Sequence, residues 1–195
     1  MGKLKRLAQL GGRVARRIRP SDRKETSMVS SGSPRRSASW AAAAEEMPSV
    51  VDGVTTKSTT AIREKLGQPG GPLLVNHWAT WCEGCVDELP LLAKLHQRWS
   101  EKVEFLGVSW ENFQFERRDV LQHVSSFSKE HGAFWPSWVV GDTPDKLFEA
   151  LEMNTHTIPQ IWVLNAEGEV VYRLEEVLDS AEIKRLEAAL EQVTS

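Results

Sequence analysis

Six positions, Leu73-Leu74-Val75-Asn76-His77-Trp78, form a short, mostly apolar run behind the breaker Pro69-Gly70-Gly71-Pro72. That pattern predicts a strand buried on both faces. Residues 58–67 ahead of it read as a short helix ended by Gly67. Ala79-Thr80-Trp81 then turns the chain into a helix from about Cys82 to Trp99, with Pro90 inside it. Proline there removes a backbone donor and crowds the preceding turn, so a kink is expected. Val103–Trp110 is a second strand. A helix near 116–131 follows, with Val120, Leu121, Val124 and Phe127 on one face, and then a short strand, Ser137–Val140.

Thr143-Pro144-Asp145 opens another helix with an N-cap hydroxyl, proline at the first helical position and an acid in the first turn. Ile161–Leu164 and Glu169–Arg173 flank Ala166-Glu167-Gly168 and read as a hairpin. The last helix starts at Asp179, with Glu182 three residues on as in a capping box, and buries Ile183, Leu186, Leu190 and Val193. From Leu73 onward the order is β-α-β-α-β-α-β-β-α. Crossover helices imply parallel strands and the hairpin adds antiparallel ones, so the class is α/β: a mixed central sheet with helices on both faces.

Charge divides the chain in two. Residues 1–40 hold eleven Lys or Arg and two acids, and the remaining 155 hold thirteen basic and twenty-five acidic side chains. Residues 1–45 are read as a basic, mostly disordered leader or tail and 46–195 as the folded domain. The leader is amphipathic at Leu4, Leu7, Leu10 and Val14, then rich in Ser and Arg. It lacks the apolar core of a secretory signal and fits a transit peptide, a plain solvated tail, or a surface helix on anionic lipid. The expected compartment is the cytoplasm or, for a transit peptide, a mitochondrion or plastid. No apolar stretch approaches the roughly 18–20 residues of a membrane span. Nucleic-acid binding is not expected either, because the basic segment lacks interleaved aromatics and the body is acidic.

The chain has only two cysteines, Cys82 and Cys85, at the predicted strand-to-helix junction. A pair at that spacing can close a small disulfide ring, and a helix N-terminus favours the thiolate of the first. Cys82 is therefore expected to be the exposed nucleophile and Cys85 the resolving thiol. Glu83 opposes thiolate formation and Gly84 loosens the turn. A zinc or copper carrier and a structural disulfide are the competing readings, although a structural zinc wants four ligands and no further cysteine exists.

The segment from Leu74 to Pro90, with Asn76-His77-Trp78-Ala79-Thr80-Trp81 running into Cys82-Glu83-Gly84-Cys85 and then Glu88 and Pro90, resembles the active-site segment of thioredoxin-fold proteins. It is most similar to TlpA/ResA-like thiol-disulfide oxidoreductases, and the resemblance extends from about Pro48 to the C-terminus. It implies a thioredoxin fold that exchanges disulfides with protein thiols and with an upstream electron donor or acceptor protein. No organic cofactor or metal is implied, and a monomer is expected. By the same resemblance, Asn76 stands where thioredoxin keeps a buried acid, and Glu88 matches a helix glutamate that assists proton transfer. Thr157-Ile158-Pro159 matches the loop whose cis-proline faces the disulfide and pairs with substrate backbone. Trp81 is expected on the substrate surface. Two residues depart from the pattern: His77 replaces an aromatic, and Gln160 follows the proline. A redox-inactive binding module of the same fold is the alternative.

Overall fold

The structure is a computed structural model that describes residues 50–114 and 117–195. The readings made for residues 1–45, and for the first residue of the helix expected near 116, lie outside the described residues. The described residues open with a hairpin, β1 (Val50–Val51) and β2 (Val54–Lys57), which the hydrophobic pattern did not bring out. Its signal was the dipeptide Asp52-Gly53 between Val50-Val51 and Val54-Thr55. Both residues take positive φ (48° and 81°), as a two-residue hairpin turn requires. Then follow α1 (Thr59–Gly67), β3 (Leu73–Trp78), α2 (Glu83–Trp99) and β4 (Glu104–Ser109). A 3-10 turn (Glu111–Phe113) leads to α3 (Val120–Glu130), β5 (Ser137–Val140), α4 (Pro144–Ala150), β6 (Gln160–Leu164), β7 (Val170–Leu174) and α5 (Ser180–Val193).

The seven strands form one sheet in the order β1-β2-β5-β4-β3-β6-β7. β3 lies near the middle, parallel to β4 and antiparallel to β6, and all six of its residues are buried. The expected mixed sheet with helices on both faces is what forms. Alternation along β3 divides its side chains between two cores. Leu74 and Trp78 join Leu89, Leu92 and Leu95 of α2, Val124 of α3, and Leu186 and Leu190 of α5. Leu73 and Val75 join Ile62 and Leu66 of α1 and Leu147 of α4. This is the thioredoxin fold, and the face bearing α2 carries the cysteines.

Two details of helix initiation differ from expectation. Thr143 occupies the N-cap of α4, but its hydroxyl makes no capping bond; the fixed φ of Pro144 starts that helix instead. Asp179 does cap α5, accepting from the N–H groups of Ala181 (2.7 Å) and Glu182 (2.8 Å). Glu182 does not reach back to close the box. Its carboxyl accepts from the Tyr172 hydroxyl at 2.8 Å and pairs with Arg185. α2 continues through Pro90, which is exposed, so the missing donor falls on the solvent side.

The β6–β7 turn touches α1. Gly168 has φ +85°, and a Cβ there would lie 2.6 Å from the carbonyl oxygen of Gly67 and 2.7 Å from that of Leu66. Both backbone geometry and space therefore require glycine. Gly168→Ala is expected to cost about 1–3 kcal/mol, read as a lower urea midpoint with an unchanged slope.

Candidate active site

β3 ends at Trp78 and the chain leaves the sheet in a tight turn, with the Cys82 N–H donating to the Ala79 carbonyl at 3.2 Å. Cys82 is the N-cap of α2. Its sulfur accepts from the Cys85 N–H at 3.2 Å, and its carbonyl accepts from the Val86 N–H at 3.0 Å. The two cysteines are joined in a disulfide, their Cα atoms 5.2 Å apart. Cys82 is half-buried and Cys85 is fully buried. The helix start thus aims a free amide at the more accessible sulfur, where partial positive charge favours an anion.

The Ile158–Pro159 peptide is cis, as the resemblance implied. Gly84 lies against it: a Cβ on Gly84 would sit 3.6 Å from Pro159 Cδ and 2.9 Å from Val177 Cγ2. Gly84 therefore serves close packing, letting the proline loop and the chain before α5 approach the disulfide ring. Gln160 anchors that loop. Its Nε2 donates to the carbonyls of Thr155 (3.2 Å) and Thr157 (2.7 Å), and its Oε1 accepts from Trp162 Nε1 at 3.1 Å. The departure at Gln160 is thus a fully bonded buried amide that fastens the residues ahead of Pro159.

Glu88 sits one helical turn beyond Cys85, 1% exposed. One carboxyl oxygen accepts from the Leu178 N–H and the other has no partner. Burial raises its pKa to about 7, against the lowering effect of that hydrogen bond. Asn76 is buried too, and its Oδ1 lacks a partner. Glu83 is exposed. Trp81, Thr157 and Ile158 come together around a mainly apolar cavity of about 440 Å³, closed by Trp110, Phe113 and Phe148.

His77 points the other way, into the face opposite α2. Its ring lies 4.6 Å from that of Trp162, and its Nδ1 accepts from Trp110 Nε1 at 3.3 Å. Burial, aided by the charge of Arg173, lowers its pKa to about 3 and keeps it neutral. It is a strand residue of the core, remote from the thiols. Among the described residues, no group of three or more His, Cys, Asp or Glu side chains is placed to hold a metal ion.

The site also contains Glu111 and His123, both bonded to Thr80 behind the cysteine turn. Nothing in the local sequence singled them out, because Glu111 follows a strand and His123 lies on a different helix.

The fold, with a disulfide-bonded cysteine pair at the start of the helix after a central strand and a cis-proline opposite, defines the thioredoxin-like class. Residues 42–190 match the Redoxin family, and the chain belongs to that family. It is similar to the thiol-disulfide oxidoreductase ResA of Bacillus subtilis, 30% identical over 103 residues that cover 52% of this chain and 51% of ResA. The thiol:disulfide interchange protein HelX of Rhodobacter capsulatus is 29% identical over 101 residues, covering 52% and 50%. The chain spans about half the length of these curated relatives. Among solved structures, a thioredoxin-family thiol:disulfide interchange protein from Chlorobium tepidum aligns with a TM-score of 0.50 at 23% identity, covering 68% of this chain and 84% of its own. A thioredoxin-like protein in its oxidised form aligns at 0.51 and 19% identity, covering 67% and 84%. These structural likenesses concern the fold.

The raised Glu88 has a thermodynamic signature. Between its ordinary value of 4.5 and about 7, the folded chain holds a proton that the unfolded chain has released. Stability is therefore lost as pH rises through that window, by about 3 kcal/mol in total. Urea unfolding of the oxidised protein at pH 5 and pH 8, compared with Glu88→Gln, isolates this contribution because His77 is common to both. The variant is expected to gain on the wild type at pH 8.

Proposed function

We propose that this protein is a thiol-disulfide oxidoreductase acting on protein partners, with Cys82 and Cys85 as its redox centre. The observation that carries the reading is the asymmetry of the pair: a half-buried sulfur at the N-cap of α2 and a fully buried one three residues on. In the reduced protein the Cys82 thiolate attacks one sulfur of a partner disulfide. A Cys82–partner bond forms and the partner's other sulfur leaves as a thiolate. Cys85 then attacks Cys82, the mixed disulfide breaks, and the partner departs with two electrons as the Cys82–Cys85 disulfide closes. Run backwards, the same steps oxidise a partner dithiol. The electrons reside in the cysteine pair, so the cycle uses no organic cofactor or metal; a second protein resets the pair.

The supporting residues take their parts from position. Glu88, with a pKa near neutrality and one turn from Cys85, accepts the proton that Cys85 gives up on attack. Asn76 keeps an uncharged amide where a fixed negative charge would oppose that thiolate. Glu83, exposed beside Cys82, raises the cost of its thiolate. Ile158, Pro159 and Thr157 offer backbone to an extended partner segment, and the absence of a side chain at Gly84 lets that loop lie close to the disulfide. Trp81 and the aromatic cavity behind it take the apolar side chain next to the partner's cysteine.

Cys85→Ser is expected to accumulate mixed disulfides with partner proteins, seen as reductant-sensitive bands on non-reducing gels, and Cys82→Ser to accumulate none. Absence of any trapped protein under mild oxidation would overturn the reading. Phe148→Ala, which opens the cavity wall, should lower kcat/KM by about tenfold for disulfide peptides with leucine or phenylalanine beside cysteine. Alanine-flanked peptides should be unaffected.

A further inference from the structure

Two side chains outside the exchange chemistry converge behind the turn that carries Cys82. Glu111 opens the 3-10 turn after β4 and is 1% exposed. Its Oε2 accepts the Thr80 backbone N–H at 3.0 Å, and its Oε1 accepts the Thr80 hydroxyl at 2.8 Å. His123 of α3 closes the cluster, its Nε2 lying 3.0 Å from Thr80 Oγ1 and 3.5 Å from Glu111 Oε1. The His123 side chain is 28% exposed and that of Glu111 only 2%, so of these two the histidine is the one that faces solvent. Arg117 and Asp119, just ahead of α3, are the other charged groups whose fields reach the pair.

Withdrawing a carboxyl group from water is costly unless its oxygens are hydrogen-bonded or it holds its proton. Glu111 spends both on one residue, and that residue lies two positions before the nucleophile. The turn is thus held twice: by Cys82 N–H on Ala79 within itself, and by Glu111 from the neighbouring strand end. The helix-terminus field that favours a thiolate falls away within one turn, so the placement of Cys82 relative to α2 controls how much of it the sulfur feels.

The Thr80 hydroxyl donates its hydrogen to Glu111 Oε1, which leaves its lone pairs for the His123 ring at Nε2.

We propose that Thr80, Glu111 and His123 form a positioning clasp that sets Cys82 against the N-terminus of α2, with His123 as its part-exposed third member. The inference rests on Cys82 being the reactive thiol of the proposed exchange.

The test uses the reduced full-length protein and two readouts: the pH profile of Cys82 alkylation by iodoacetamide, and the midpoint potential of the cysteine pair. Thr80→Val and Glu111→Gln are expected to change the alkylation rate by about threefold or more, the effect of losing one hydrogen bond, and to shift the potential. Thr80→Ser, which keeps the hydroxyl, should retain wild-type values. His123→Asn, which removes the third member of the clasp, is expected to shift the alkylation profile and the potential as Thr80→Val does. If the variants lose thermal stability yet keep the wild-type profile and potential, the trio is merely structural and the proposal falls. Should Thr80→Val fail to fold, the part-exposed His123→Asn decides alone. A failed Cys85→Ser trap combined with shifted profiles would overturn the proposed exchange and leave the clasp standing.

Discussion

The site depends on how β3 is paired. Its six buried residues are hydrogen-bonded to β4 on one side and β6 on the other. In the second pairing His77 lies opposite Gln160, the residue after Pro159. The end of β3 and the cis-proline are thereby brought to the same end of the sheet. One register thus faces the disulfide with the proline loop. A one-residue slip would turn the strand's alternation inside out and move the cysteine turn away from that loop.

Around that register the domain buries several polar side chains, on both faces of the sheet. Glu88, Asn76, Glu111 and His77 are all at most 1% exposed, and each is handled differently. Glu111 has both oxygens bonded to Thr80. Glu88 has one oxygen bonded and one bare, and burial lifts its pKa toward neutrality. His77 is discharged by burial and braced by tryptophans. Asn76 stays uncharged by its nature. A buried acid with one oxygen left without a partner holds its proton more tightly than an exposed one.

Much of this was legible before any coordinates. The run Leu73–Trp78 and the helix after it carry strong local signals, as do the hairpin around Gly168 and the pair Cys82/Cys85. What stayed hidden is instructive. The β1–β2 hairpin consists of two-residue and four-residue strands, too short for a period to register. Glu182 matched a capping pattern but bonds Tyr172, because β7 lies within reach of α5. His77 could not be assigned to a face, since a strand buried on both sides shows no polar alternation. Gln160 looked like a mere departure from a pattern until its four bonding partners were in view.

The sequence by itself determined the order of most elements, the strand-to-helix junction and the chemical identity of the redox pair. Those features rest on contacts between residues close in the chain: turn chemistry, capping and apolar period. Only the tertiary structure decided which face His77 occupies, how far Glu88 is removed from water, and that Glu111 and His123 meet at Thr80. Each of those depends on desolvation or on bonds between residues tens of positions apart. Their free energies exist only once the sheet has closed and water has been excluded.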